Sequence, residues 1–166
     1  MAQTENQLQT ELVKDAKTQN HHAFKASHRD MTGVADLYLC GQQGSFWCEV
    51  KFFKPIERTF RQKTISTTPE QHRFLVDELD ATGLAFWVVG YVMSRDGTHD
   101  RHGLFLCNGR KTTVTVTKDW MLPKRPGHII KHRGASWPMD LITKRAKLMI
   151  NGAMTWIHED EKTIGY

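Results

Sequence analysis

The chain has little cysteine and no long apolar run. Cys40, Cys48 and Cys107 are its three cysteines, too few for a disulfide framework. Cys40 and Cys48 fall in segments that read as strands, where a reduced thiol behaves as a small apolar side chain. A reducing compartment, the cytoplasm, is therefore expected (the host's, if the chain is phage-encoded). No CxxC accompanies His99-x-x-His102 with Cys107, or His128-x-x-x-His132, so a zinc site is not expected. The polar stretch from Met1 to Gln7 lacks the apolar core of a secretory signal. The longest apolar stretch, Leu84 to Val89, is far short of the roughly 20 residues that a membrane helix needs, so no membrane partner is expected. The G-x-x-x-x-G-K-[ST] loop that cradles nucleotide phosphates is absent, which argues against ATP use.

What is present suits one globular domain with an appendage. The 166 residues are 39% hydrophobic, enough for a single core. A net charge of +5 and a pI near 9.2 favour a polyanionic partner. Thr4 to about Gln19 reads as a helix, with Leu8, Leu12 and Ala16 on one face. Ala23 to Ser27 reads as a short strand. Asp36 to Cys40 and Phe46 to Phe53 read as a hairpin across Gln42-Gln43-Gly44. Lys54 to Lys63 reads as a basic loop. Thr68, Pro69 and Gln71 supply the cap, first position and capping box of a second helix, which Gly83 ends. Leu84 to Val92 reads as a central strand covered on both faces. Arg95-Asp96-Gly97 reads as a turn. Gly103 to Cys107 and Lys111 to Thr117 flank Asn108-Gly109, a hairpin signal. A proline-punctuated loop region follows, and Met139 to Ile150 reads as a helix. The element order indicates a mixed α/β fold.

The chemistry concentrates at Asp36 and Glu49-Val50-Lys51. Alternation along a strand puts Glu49 and Lys51 on one face with Trp47 and Phe53, and sends Phe46, Cys48, Val50 and Phe52 the other way. Charges inside so apolar a strand are costly unless paired or functional. The hairpin can bring Asp36 beside Glu49, and two close carboxylates attract a hard divalent cation. Such a cation polarises a phosphate oxygen and acidifies an attacking water, while a lysine can stabilise charge on phosphate. From these residues alone, a structural Glu49–Lys51 pair with Asp36 as a turn residue remains an equal reading.

Gly-Val-Ala-Asp36, then Glu49-Val-Lys51, then Thr-Pro-Glu-Gln71 opening a helix before an apolar strand, resembles the PD-(D/E)xK nuclease superfamily. The order is similar to its VRR-NUC and Holliday-junction-resolvase branch, over roughly residues 5 to 92. Ala35 departs from the proline usual before the aspartate. The resemblance implies a restriction-endonuclease-like core, with a mixed central sheet flanked by helices, and Mg²⁺-dependent cleavage of DNA, with Mn²⁺ as a substitute. It implies Asp36, Glu49 and the Val50 carbonyl as metal ligands, Lys51 as the activating lysine and Gln71 near the site. It also implies a glutamate on the first helix. Glu5, in an E-x-x-L pattern and on the inward face, is favoured over Glu11. Gln71 has the rival role of completing the capping box.

The expected organisation is a nuclease core over residues 1–95 and, over 96–166, a C-terminal β-hairpin and helix extension for DNA contact or dimerisation. Lys25, His28 and Arg29 before the Asp36 strand, and Lys54, Arg58, Arg61 and Lys63 after the Glu49 strand, are candidate phosphate contacts. Phe60 reads as local packing. Arg110, Lys111, Lys118, Lys124, Arg125, Lys131, His132 and Arg133, with Trp120 and Trp137, make the C-terminal part basic. The resulting expectation is a metal-dependent endodeoxyribonuclease acting on branched or structured DNA, suited to phage replication, recombination or packaging. Junction resolution needs paired cuts and so implies a homodimer. A non-catalytic DNA-binding or assembly protein on the same fold is the alternative, and RNA cleavage is not excluded by composition.

Overall fold

The computed structural model describes residues 4–26, 33–94, 100–118, 127–132 and 134–151. The described elements run α1 (Glu5–Thr18), β1 (His22–Lys25), β2 (Leu37–Gly41), β3 (Gly44–Phe53), β4 (Gln62–Ser66), α2 (Pro69–Thr82), β5 (Ala85–Ser94), β6 (Asp100–Asn108), β7 (Thr113–Thr117), β8 (His128–Lys131) and α3 (Met139–Ile150). Six strands form one sheet in the order β1-β2-β3-β5-β6-β8. Among the described strands only the β3–β5 pair is parallel; β4 and α2 lie in the connection between those strands. This is the mixed sheet with flanking helices expected from the sequence.

Apolar side chains on the two faces of the sheet build two cores. On one face, Leu8, Leu12 and Ala16 of α1 and Met139, Ile142, Ala146 and Met149 of α3 cover Phe46, Cys48, Val50, Phe86 and Val88. On the other, Leu75 and Leu79 of α2 and Val114 and Val116 of β7 cover Trp87, Val89, Tyr91 and Phe105. The alternation expected along β3 is therefore present, and β5 is buried on both sides. Trp137, in the basic C-terminal part, is core rather than surface.

The local signals for the helices are realised. Thr4 caps α1 through its hydroxyl, which accepts the Gln7 N–H. Thr68 and Gln71 form the reciprocal capping box of α2, and Gly83 closes that helix in the left-handed region at φ 74°. Three expectations are corrected. Gln62 and Lys63, read as the end of a loop, begin β4. The region read as proline-punctuated loop contains β8. The Asn108-Gly109 turn forms, with the Asn108 side chain accepting the Arg110 N–H, but the strands it joins do not pair. Both edges of β6 are occupied, by β5 and β8, and β7 pairs instead with β4 in a separate two-stranded ribbon. The Arg95-Asp96-Gly97 turn lies outside the described residues.

Gly33 determines how closely the chain entering β2 approaches α2. Its φ is +90°, and a Cβ there would lie 2.5 Å from Glu70 Cβ and 2.9 Å from the Glu70 carbonyl carbon. Only glycine lets the segment before Asp36 rest on the first turn of α2. Gly83 provides the control: it too has positive φ, but a Cβ there meets nothing within 4 Å. Gly83→Ala should cost about 1 kcal/mol of backbone strain. Gly33→Ala should cost about 2–4 kcal/mol, because strain and overlap add. Urea unfolding of both variants measures the difference. Equal losses would mean that the contact with Glu70 relaxes freely.

Candidate active site

The register of β2 on β3 explains how the carboxylates meet. Leu37 lies opposite Cys48, so Asp36, one residue before β2, falls beside Glu49. Because β2 begins only at Leu37, no strand backbone is opposite Val50. Asp36 fills that place with its side chain: Oδ2 accepts the Val50 N–H at 2.8 Å. Glu49 is fully buried at 0% exposure. Its Oε1 accepts from Lys51 Nζ at 2.8 Å, and Lys51 Nζ also donates to Gln71 Oε1 at 3.0 Å. That same Gln71 oxygen accepts the Thr68 N–H at 2.9 Å. Gln71 thus serves the capping box and the lysine together, and its two rival roles are one arrangement.

The electrostatics are those of buried carboxylates crowded together with one lysine. Burial pushes the Glu49 carboxyl up to about 7, the Asp36 charge adds to this, and Lys51 opposes it. Burial also raises Asp36, against its Val50 N–H bond and the charges of Lys51 and Lys25. Glu5, in the first turn of α1, is raised by burial, with Lys51 lowering it and Asp36 raising it further. The structure therefore brings Asp36, Glu49, Lys51 and Gln71 together, with Glu5 within reach of the charges of Lys51 and Asp36. Glu11 lies elsewhere, bonded to Lys131 Nζ at 3.1 Å.

Glu49 Oε2 is buried and has no hydrogen-bond partner among the described residues. An orphaned carboxylate oxygen beside a second carboxylate fits a divalent cation, which would supply the missing partner and relieve the repulsion. Among the described residues no three His, Cys, Asp or Glu side chains form a metal cage. Two carboxylates and a backbone carbonyl suit Mg²⁺, which takes oxygen ligands and keeps several waters.

The expected phosphate contacts are spread more widely. Lys25 Nζ donates to the Asn6 carbonyl at 3.0 Å and to Asn6 Oδ1 at 2.6 Å, which fastens β1 to the first turn of α1. Its charge also acts on Asp36. Lys54, Arg58, Arg61 and Lys63 are exposed on the chain leaving β3. His28 and Arg29 lie outside the described residues, as do Lys124, Arg125, Arg133 and Trp120. Phe60 packs on Phe53 with ring centroids 5.7 Å apart. Lys131, bonded to Glu11, also lies over the Trp137 ring and joins the C-terminal part to α1. His128 Nε2 meets the Tyr91 hydroxyl at 2.6 Å. No helix of the described residues is long and apolar enough to cross a membrane.

Sequence reasoning missed Asn6, the partner of Lys25, and a row of aromatic rings beside the carboxylates. Phe24, Tyr38 and Trp47 are cross-strand neighbours, stacked or edge-on at 5.1–6.4 Å, and Phe74 of α2 extends the row. The signal was available: Tyr38 is two residues after Asp36 and Trp47 two before Glu49, on one face by alternation.

The raised Glu49 carboxyl predicts a pH dependence. Its folded value, about 7, exceeds the ordinary 4.5, so between those values the folded chain binds the extra proton. Stability without metal should therefore fall as pH rises through that window and stay low above it, by on the order of 1–3 kcal/mol. Urea unfolding at pH 5.5 and pH 8 in chelator checks this. Glu49→Gln should flatten the profile, and Mg²⁺ should restore wild-type stability at the higher pH. A flat wild-type profile would contradict the burial of an ionising Glu49.

No protein-family model and no curated protein matches the sequence. Among solved structures, the chain is similar to Hjc, a Holliday junction resolvase from the archaeal hyperthermophile Archaeoglobus fulgidus. The identity is 10% and the TM-score 0.46, over 69% of this chain and 89% of that one.

Proposed function

We propose that the chain is a metal-dependent endonuclease that hydrolyses phosphodiester bonds in DNA, with branched or otherwise structured DNA as its substrate. The observation that carries this reading is Glu49. It is fully buried, one oxygen holds Lys51 and the other lacks a partner, while Asp36 stands beside it. A structural ion pair has no use for the second, repelling carboxylate. The motif order over Asp36, Glu49-x-Lys51 and Gln71 supports the same reading, and so does the placement of Glu5.

Asp36, Glu49 and the Val50 carbonyl would hold Mg²⁺ or Mn²⁺, which when bound supplies Lewis acidity toward the phosphodiester. Lys51 carries three N–H bonds. Glu49 and Gln71 take two, and the third would serve a phosphate oxygen, where the ammonium would offset developing negative charge. Glu5 accepts a hydrogen bond from the attacking water and helps to aim it in line with the leaving oxygen. Paired cuts across a junction would need two copies of the chain. Replication, recombination or packaging of phage DNA is a setting that suits such an activity.

Plasmid and labelled junction, flap, nicked and plain duplex substrates, incubated side by side with Mg²⁺ or Mn²⁺, test the proposal. Wild type should cut a branched substrate fastest, and chelator should stop it. Asp36→Asn and Lys51→Ala should each lower the rate by about 10²-fold or more. Equal cleavage by either variant would sink the site assignment. Binding without cleavage by wild type in both metals would favour a DNA-binding module instead. Affinity should also fall steeply with salt, since phosphate contacts release counterions; a flat profile would count against phosphate-dominated binding.

A further inference from the structure

The first turn of α1 lies ahead of that helix's first core contact. Leu8 is the first buried residue of α1, while Thr4, Asn6 and Gln7, on either side of Glu5, are exposed. A helix start has four N–H groups with no partner in the helix, and an end without core contacts opens readily. The Thr4 hydroxyl takes one of the four, from Gln7. Attachment to the sheet comes from Lys25, whose ammonium donates to the Asn6 carbonyl at 3.0 Å and to Asn6 Oδ1 at 2.6 Å. A carboxylate on that turn can be aimed at a site only while the turn is held.

The same stretch of β1 holds Asp36. Lys25 lies opposite Leu37, and the N–H of Ala26 donates to the Asp36 carbonyl at 2.8 Å. Alternation turns Lys25, like the buried Ala23, toward the α1 face of the sheet. Two consecutive residues thus join the segment bearing Glu5 to the segment bearing Asp36, Lys25 through its side chain and Ala26 through its backbone. Helix stability alone does not account for this arrangement. The exposed N–H groups of a helix start disfavour a cation and favour a carboxylate. The Asp36 charge offsets that penalty, and Lys25 acts on it, though less strongly than Lys51 does. An ammonium at this place is matched to the carboxylate site rather than to the helix.

On the DNA-cleaving reading of the carboxylate site, we infer that Lys25 is a positioning residue. It ties the start of α1 to the strand beside Asp36, and so sets where the Glu5 carboxylate stands relative to Asp36 and the attacking water. It does this without touching DNA, since its ammonium is engaged by Asn6. Its effect therefore falls on the rate of cleavage and not on affinity. A lysine on a phosphate would behave in the opposite way: its loss weakens binding and makes the salt dependence shallower.

The test uses the full chain as wild type, Lys25→Met, Asn6→Ala, Glu5→Gln and the Lys25→Met/Glu5→Gln pair. It measures the single-turnover cleavage rate, at saturating enzyme with Mg²⁺, on the branched substrate that wild type cuts fastest. It also measures affinity in chelator over a salt series. Lys25→Met should slow cleavage by about tenfold, and Glu5→Gln by at least as much, since a small misplacement of a reacting group has effects of that size. Asn6→Ala, which leaves the carbonyl bond, should slow it by about threefold. It keeps the Lys25 charge and a good helix former, and decides the matter if Lys25→Met lowers the melting temperature. Affinity and its salt slope should stay at wild-type values in both. Added to Glu5→Gln, Lys25→Met should slow cleavage by less than about twofold further, because two changes acting through one group do not add. A wild-type rate in Glu5→Gln, in Lys25→Met or, where it decides, in Asn6→Ala overturns the positioning role. So does weaker binding with a shallower salt slope, or a full tenfold further loss in the pair. Each of these leaves the Asp36, Glu49 and Lys51 site standing. Failure of wild type to cut any DNA overturns both readings, and is read from wild type alone.

Discussion

Glu49 is a carboxyl held at 0% exposure beside a second carboxylate, and much of the surrounding structure bears on that burial. The residue sits on β3, with Asp36 at one side, Trp87 opposite on β5 and aromatic neighbours along its face. Water cannot reach it, so protein groups must supply what water would. Lys51 supplies one partner. Asp36 is kept close by its bond to the Val50 N–H, although its charge makes Glu49 harder to ionise. The cost of holding two carboxylates in an apolar setting is tolerable because packing on both faces over-determines the strand that carries them.

That packing assigns each layer a different task. The α1 and α3 face carries the larger core and brings the start of α1, with Glu5, toward Asp36 and Lys51. Lys131 bonded to Glu11, and the Asp15 side chain accepting the Trp137 N–H at 2.7 Å, tie α1 to the C-terminal part. The opposite face carries α2 and the ribbon, of which α2 and β4 are inserted between the parallel strands β3 and β5 while β7 follows β6. Lys51, the ribbon strand β4 and Gln71 therefore belong to one continuous crossover, which β7 pins through its pairing with β4.

Legibility in the sequence followed how local each signal was. The caps of α1 and α2, the alternation along β3 and the doubly covered β5 were readable because a few neighbouring residues determine them. Asp36 beside Glu49 followed from the short Gln42-Gln43 turn, which leaves little freedom of register. Helix periodicity favoured Glu5 over Glu11, and Glu11 is taken up by Lys131. The errors were nonlocal. Thr113 to Thr117 has a strand pattern, but nothing nearby tells that its partner is β4, some fifty residues earlier, rather than β6. His128 to Lys131 is too short to stand out, and becomes a strand because β6 has an open edge. Lys25 reads as a surface cation, yet Asn6 on a distant element captures it.

Gln71 ties the beginning of α2 to Lys51 through one oxygen atom. The aligned peptide dipoles of a helix leave roughly half a positive charge at its first turn. The capping box that settles where α2 begins therefore also settles where that field is aimed, and the shared oxygen places it next to the Lys51 ammonium. On the proposed reading, helix and lysine would act on a phosphate in the same sense, with Glu70, exposed to solvent in the same turn, opposing them from outside. An element whose apolar face serves to cover the sheet thus also works as an electrode, aligned by its own end-cap.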